Sequence, residues 1–431
     1  MEKLLQIAKE SADQADVFFT NCKDNSIVFE DSNLKSADSN FIYGVALRVI
    51  KNGKIAFVYT RNLLDPKKLV KQALDSAEKG ITPQYDFQKT DKVADLKIYD
   101  AEIEQIDKNR LVKDAKKIIS YIKTKTDGQI NIDYNFGVTE RGIMNSFGTN
   151  LKEIKSSFSI CLSMPFPGTY ADVCECLYAR KYQTMDKVKI DKLIELYTLN
   201  EQQIIPQTGK MKVILMPEAL LALIKCFDTA NHPLRFSNKT TPLLNKLNQQ
   251  IFSDQLTIYQ DPLDDASFEA TAFDDIGIAC QKQVFVEKGV LKKNQTNLNN
   301  KGEPGTQLTG NVWRNGVENP PSSFVKCYRI EPGNKSLDEM IAGIDEGLIV
   351  HSVMGAGSGN VLAGDYSLGV VTGFYIKNGK MIGRVKDCMI AGNIYETFNQ
   401  IEAIENETHF FGKGNFPAIA FNGISVAGTD E

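Results

Sequence analysis

Glycine limits what the second half of this chain can become. Gly343, Gly347, Gly355, Gly357, Gly359, Gly364, Gly369, Gly373, Gly379 and Gly392 crowd one stretch, with Gly412 and Gly414 after it. Each glycine weakens a helix or strand interior by roughly 0.5–1 kcal/mol relative to alanine, so long helices are excluded there. Short strands joined by tight turns remain, as in a curved sheet or partly closed barrel. Lys377-Asn378-Gly379-Lys380 marks one hairpin and Lys282 to Leu291 another. In the first half, Asn52-Gly53 separates Tyr43–Ile50 from Ile55–Thr60. Asn-Gly between apolar runs signals a hairpin because both turn positions favour positive φ.

The N-terminal part alternates helix and strand signals. Residues 2–14 carry Leu4, Leu5, Ala8 and Ala12 at helical spacing; Val17–Thr20 and Ser26–Glu30 read as two strands. Asp65-Pro66 caps and opens a helix to about Lys79, and Gly80 ends it. A loop is expected over 81–95, an amphipathic helix over 107–124, strands over 129–138, 141–146, 156–164 and 170–182, and a helix over 186–202. The order hints at a duplicated unit, although no residues repeat. The Pro206–Gly209 turn places a boundary near 205, giving domains 1–205 and 206–431. The fold class is α+β: an N-terminal region of helices packed on antiparallel hairpins, then a strand-rich curved sheet or partly closed barrel.

The 431 residues are long enough for two or three domains. A net charge of −4 without any long basic block gives no electrostatic reason to expect nucleic acid. No stretch approaches the roughly 18–20 apolar residues that span a bilayer. The start is an amphipathic helix rather than a signal peptide, and the eight cysteines mostly sit singly in apolar segments. That pattern suits reduced thiols in the cytoplasm.

The strand Lys212–Met216 leads into a helix over 217–230 that carries Glu218 but no histidine. A zinc hydrolase normally draws two histidines from such a helix, and the three histidines here, His232, His351 and His409, are scattered. Gly355-Ala356-Gly357-Ser358-Gly359 lacks the Lys-Ser/Thr of a phosphate loop and reads as a tight loop between strands. Cys174 and Cys176 share one face of a strand at a spacing wrong for a redox dithiol, and read as unpaired thiols. The acidic stretch 254–275 lacks calcium-loop spacing and reads as a solvated loop. There is no Gly-x-Ser-x-Gly elbow.

Several blocks, in order, resemble the TldD/PmbA family. They are Phe273-Asp274-Asp275-Ile276-Gly277 with Val286–Leu291, Thr309-Gly310-Asn311, Gly364-Asp365-Tyr366-Ser367-Leu368-Gly369 followed by Gly373–Gly379, and Ile390-Ala391-Gly392-Asn393. In that family one subunit type holds zinc with His-Glu-x-x-x-His and a cysteine near the C-terminus, and the PmbA (TldE) type lacks them. This chain has no histidine on the helix and Phe411-Gly412-Lys413 where the zinc type has Cys-Gly-Lys, so it resembles the PmbA/TldE type. The resemblance implies a heterodimer with a TldD-like zinc subunit that cleaves unfolded or short peptides, leader-peptide removal included. It implies no metal or cofactor in this chain, and zinc in the partner. Gly364, Asp365, Tyr366, Ser367, Gly369, Gly392 and Asn393 would then be structural or interfacial, with no catalytic residue assigned. A homodimer of the isolated chain is compatible with it. The competing reading is a stand-alone peptide-binding or gyrase-modulator-like protein without proteolytic activity.

Overall fold

The Asn52-Gly53 pair takes φ of 50° and 70°, as its hairpin requires, and Asn378-Gly379 takes 50° and 72°. In the computed structural model, which describes residues 1–83, 85–296 and 308–428, these turns sit in two different sheets. The first is six-stranded. It is built from β1 (Gln14–Glu30), β2 (Asn33–Lys51), β3 (Lys54–Thr60), β4 (Asn131–Asn145), β5 (Asn150–Pro165) and β6 (Asp172–Ala179). Its order is β3-β2-β1-β4-β5-β6, antiparallel throughout. Helices α1 (Glu2–Lys9) and α2 (Pro66–Ala77) flank the first three strands in sequence, and α3 (Lys108–Lys123) and α4 (Lys187–Thr198) flank the last three. The hint of duplication thus becomes two helix–three-strand–helix units, joined where β1 lies antiparallel to β4.

The strands are longer than the sequence suggests. Val17–Thr20 and Ser26–Glu30 are parts of one strand, and the segments expected over 129–138 and 141–146 merge into another, Asn131–Asn145. The polar residues between them, such as Asn21 and Asp24, do not break pairing because ladder hydrogen bonds on both sides hold the backbone extended. The two faces of the sheet differ. Ile27, Ile132, Tyr134, Phe158 and Ile160 pack with Leu111, Ile119, Leu193 and Ile194 of α3 and α4. The opposite face presents rows in register such as Ser26–Asn135–Ser159–Tyr178 and Cys22–Thr139–Lys155, because alternate residues point to opposite sides. This polar face turns toward the C-terminal half.

The second sheet contains β7 (Gly209–Leu215), β8 (Glu346–Met354), β9 (Asp365–Lys377), β10 (Cys388–Asn393) and β11 (Ile419–Gly428). β8 pairs with β7, β7 with β11, β11 with β10, β10 with β9, and β9 returns to β8, so five strands close a barrel. Helix α5 (Pro217–Ala230) follows β7 and buries Ala219, Leu220, Ala222, Leu223, Ile224, Cys226 and Phe227. A helix buried on nearly every face belongs to a core, and α5 is central to the largest one. A smaller sheet, including Ile258–Gln260, Gln283–Glu287 and Tyr328–Ile330, completes this half.

Two expectations are corrected. Cys161 and Cys176 stand directly opposite in β5 and β6 and are joined as a disulfide, so Cys176 is not an unpaired thiol. The acidic stretch is not wholly solvated: Asp274 and Asp275 are buried. Asp274 accepts hydrogen bonds from the backbone N–H groups of Ile276, Ile278 and Val312. Asp275 pairs with Arg141 of β4 and accepts from the N–H of Arg314. The Phe273–Gly277 block therefore ties the first sheet to the C-terminal half.

Candidate functional site

The seam between the polar face of the first sheet and the start of α5 gathers the chemically versatile side chains. Met216 precedes α5 and donates its N–H to Val350 of β8 at 2.9 Å, which fixes the helix start against the barrel. Pro217 occupies the first turn, where its missing N–H costs nothing. Glu218 follows it and faces the β6 end of the sheet. Burial, and then the charge of Asp172, push Glu218 up to about 7. Asp172 is itself raised by burial, and its carbonyl accepts from Thr372 Oγ1 of β9 at 2.7 Å, linking sheet and barrel. Cys174 is exposed by surface area, yet its thiol is pushed up to about 12, first by the protein packed around it and then by Asp172, Glu218 and Glu175. Tyr178, Phe268 and Phe410 form an aromatic bridge across the seam, with ring centres 4.9–5.7 Å apart.

Sequence reasoning noted Glu218 but missed Asp172 and Tyr178. The pairing of β6 with β5 brings them to the seam, and no local motif announces it. The raised acid has a consequence for stability. Folding favours the protonated form of Glu218, so its contribution is most favourable below the unfolded value of 4.5 and declines as pH rises to about 7. Glu218→Gln should therefore raise stability at pH 8 by about 1–3 kcal/mol. The gain should vanish below pH 4.5, a comparison read from urea denaturation at both pH values.

A zinc site does not fit here. With Glu218 as the acid of His-Glu-x-x-x-His, the two histidine places hold Pro217 and Ala222, both buried and without a ligand atom. The cysteine place holds Phe411, on a strand whose turn meets α5: a Cβ on Gly412 would lie 3.1 Å from Leu221. Pro217 and Ala222 are thus packed as buried apolar residues, and Phe411 is half-buried on the strand beside the helix. Among the described residues no group of three or more His, Cys, Asp or Glu is arranged to hold a metal ion. The histidines stay apart. His232 caps the short helix Pro233–Ser237, His351 packs edge-on to Phe374, and His409 bonds Glu405 at 3.1 Å.

The family-signature residues lie on the barrel rather than in the seam, and mostly on strands rather than in a loop. Asp365 pairs with Asn393 and Tyr366 with Gly392 across β9 and β10. Asn393 Nδ2 donates to Asp365 at 2.8 Å and to the carbonyl of Ala363 at 3.0 Å, and the Tyr366 hydroxyl meets Thr397 at 2.8 Å. Gly392 leaves room for Tyr366, whose oxygen would lie 2.7 Å from an added Cβ. Ser367 faces Ala391, and Gly369 lies opposite Met389 with Met354 beside it. Gly355–Gly359 lies between β8 and β9, as a tight loop should.

Comparison with known proteins is consistent along the chain. Residues 208–428 match the PmbA/TldA metallopeptidase C-terminal domain and residues 15–77 match PmbA/TldA metallopeptidase domain 1. An uncharacterised protein of Methanocaldococcus jannaschii is 27% identical, covering 98% of this chain and 99% of that one. A protein of the same organism named as a metalloprotease is 26% identical, covering 94% and 92%. The crystal structure of TldE from Thermococcus kodakarensis superposes with a TM-score of 0.91 at 22% identity, over 99% of this chain and 100% of that one.

Proposed function

Since this chain belongs to the PmbA/TldD metallopeptidase family, we propose that it is the subunit without metal of a two-subunit zinc peptidase. Its partner is a TldD-like chain that carries His-Glu-x-x-x-His and the zinc, and its substrate is an unfolded or short peptide, leader peptides included. One observation carries this reading: the three ligand positions are filled by Pro217, Ala222 and Phe411, while the polar seam beside them is kept. No hydrolytic step is assigned to this chain's own residues. Its contribution is a surface on which an extended peptide lies, held by main-chain hydrogen bonds that make little demand on sequence. A cytoplasmic location accords with this role, and no described helix is long and apolar enough to cross a membrane.

The test is reconstitution. The purified chain should carry no stoichiometric zinc by metal analysis and leave an unstructured peptide intact. Adding the histidine-bearing partner should form a complex and restore cleavage above the rate of the partner alone. Zinc bound by the isolated chain together with turnover would overturn the proposal. A chain that captures peptide yet forms no complex would favour the stand-alone binding reading.

A further inference from the structure

On the polar face of the first sheet, β5 places Lys155 two residues beyond Glu153, on the same side. Glu153 is engaged: it accepts from Arg141 Nε at 3.1 Å, Thr271 Oγ1 at 2.9 Å and the N–H of Ala272 at 2.7 Å. Among the described residues Lys155 has no such partner. Across the seam Lys326 stands 4.2 Å from the ring centre of Trp313. Trp313 is 2% exposed, and its indole N–H has no acceptor among the described residues. Arg141 lies 5.5 Å from the same ring centre. Buried donors are almost always paired, so an orphaned N–H beside the Lys326 ammonium describes a place lacking an anion.

We propose that Lys155 and Lys326, with the indole N–H of Trp313, hold a carboxylate of a peptide lying in the seam. The inference rests on the peptide-binding reading above and adds the chemical group that is recognised.

The charges around the site support it. Lys155 is held down to about 7, first by the charge of Lys326 and then by burial, with Arg141 adding to the fall and Glu269 and Glu153 opposing it. Two like charges brought together are unfavourable, Glu269 and Glu153 offset only part of this at Lys155, and a bound carboxylate would relieve the rest. Arg180 is another cation nearby. Its guanidinium donates to the carbonyls of Ser156, Ser267, Phe268 and Ala270 and, among the described residues, to no carboxylate. Both lysines are half-buried, so a ligand from solvent reaches them without first opening the core.

Two measurements on the full chain test the site. The first is fluorescence anisotropy with three labelled forms of one unstructured peptide: a free C-terminal carboxylate, an amide with an internal Glu, and an amide with Gln in its place. At least one carboxylate form should bind about tenfold tighter than the neutral one, and which form does so tells a chain terminus from an acidic side chain. Lys155→Gln and Lys326→Gln should each reduce the preference to about twofold or less. Equal binding of all three peptides, or a preference that survives both substitutions, overturns the site while leaving peptide binding standing. The second measurement is competitive acetylation of the lysines, read by mass spectrometry, with N-acetylglycine or its amide present. Protection of Lys155 and Lys326 by the acid alone upholds the site even where no long peptide is captured, in which case the peptide reading fails. Absence of protection overturns the site.

Discussion

Arg141→Met should cost about 3–5 kcal/mol, the range for stripping a partner from a buried ion network. Arg141 is buried and reaches four acceptors at once: Glu153, Asp275, Thr271 Oγ1 and the carbonyl of Phe273. Its guanidinium also lies 4.6 Å from the ring centre of Phe273. Removing it leaves the carboxylates of Glu153 and Asp275 away from water with their other donors only. These contacts join β4 and β5 to residues 271–275, so loss should appear as a lower urea midpoint and as earlier proteolysis between the two halves. Replacing Arg141, Glu153 and Asp275 together by apolar residues of similar volume should recover much of the loss, because no charge is then stranded. If Arg141→Met leaves the midpoint unchanged, this knot is not what fastens the halves.

Gly364→Val is the second large effect, at about 2–4 kcal/mol. Gly364 has φ of 93°, a conformation that a β-branched residue resists, and an added Cβ would lie 2.9 Å from both Ile394 and Tyr395. The carbonyl of Gly364 also accepts the N–H of Ile394 at 2.9 Å, so the backbone cannot simply swing away. Gly357→Ala, a few residues earlier and with nothing within 4 Å of its added carbon, serves as the control. It should fall within about 0.5 kcal/mol of the parent. Equal thermal midpoints for the two variants would contradict the packing described for the barrel.

The parts of this fold that could be read from the sequence were those with local causes. Asn52-Gly53 and Asn378-Gly379 announced hairpins because the backbone angle is a property of the dipeptide. Lys108–Lys123 announced a helix because Leu111, Ala115, Ile119 and Ile122 share one buried face. Long strands such as β1 were broken in the reading because their middle residues are polar on both faces, with Asn21, Lys23 and Asn25 on one side and Asp24 on the other. Asp275 looked like a solvent-facing acid because its partner, Arg141, lies far upstream, and Asp274 because the backbone N–H groups that hold it come from a folded turn and from Val312. The Cys161–Cys176 pair likewise depends on the register of β5 against β6, which no spacing rule supplies. For the site, the absence of histidine on α5 was legible, whereas Asp172, Tyr178 and Lys326 reach the seam only through tertiary contacts.

The occupants of the three ligand positions also bear on how such a chain could change. A tetrahedral zinc site needs several donors at once, so Pro217→His, Ala222→His or Phe411→Cys would each add a single donor and gain no ion. A single new donor brings no bound ion to offset the disturbed packing at the buried Pro217 and Ala222, so a zinc site could arise here only by several changes together. With carbon at all three positions, no existing donor offers a starting point for an ion site.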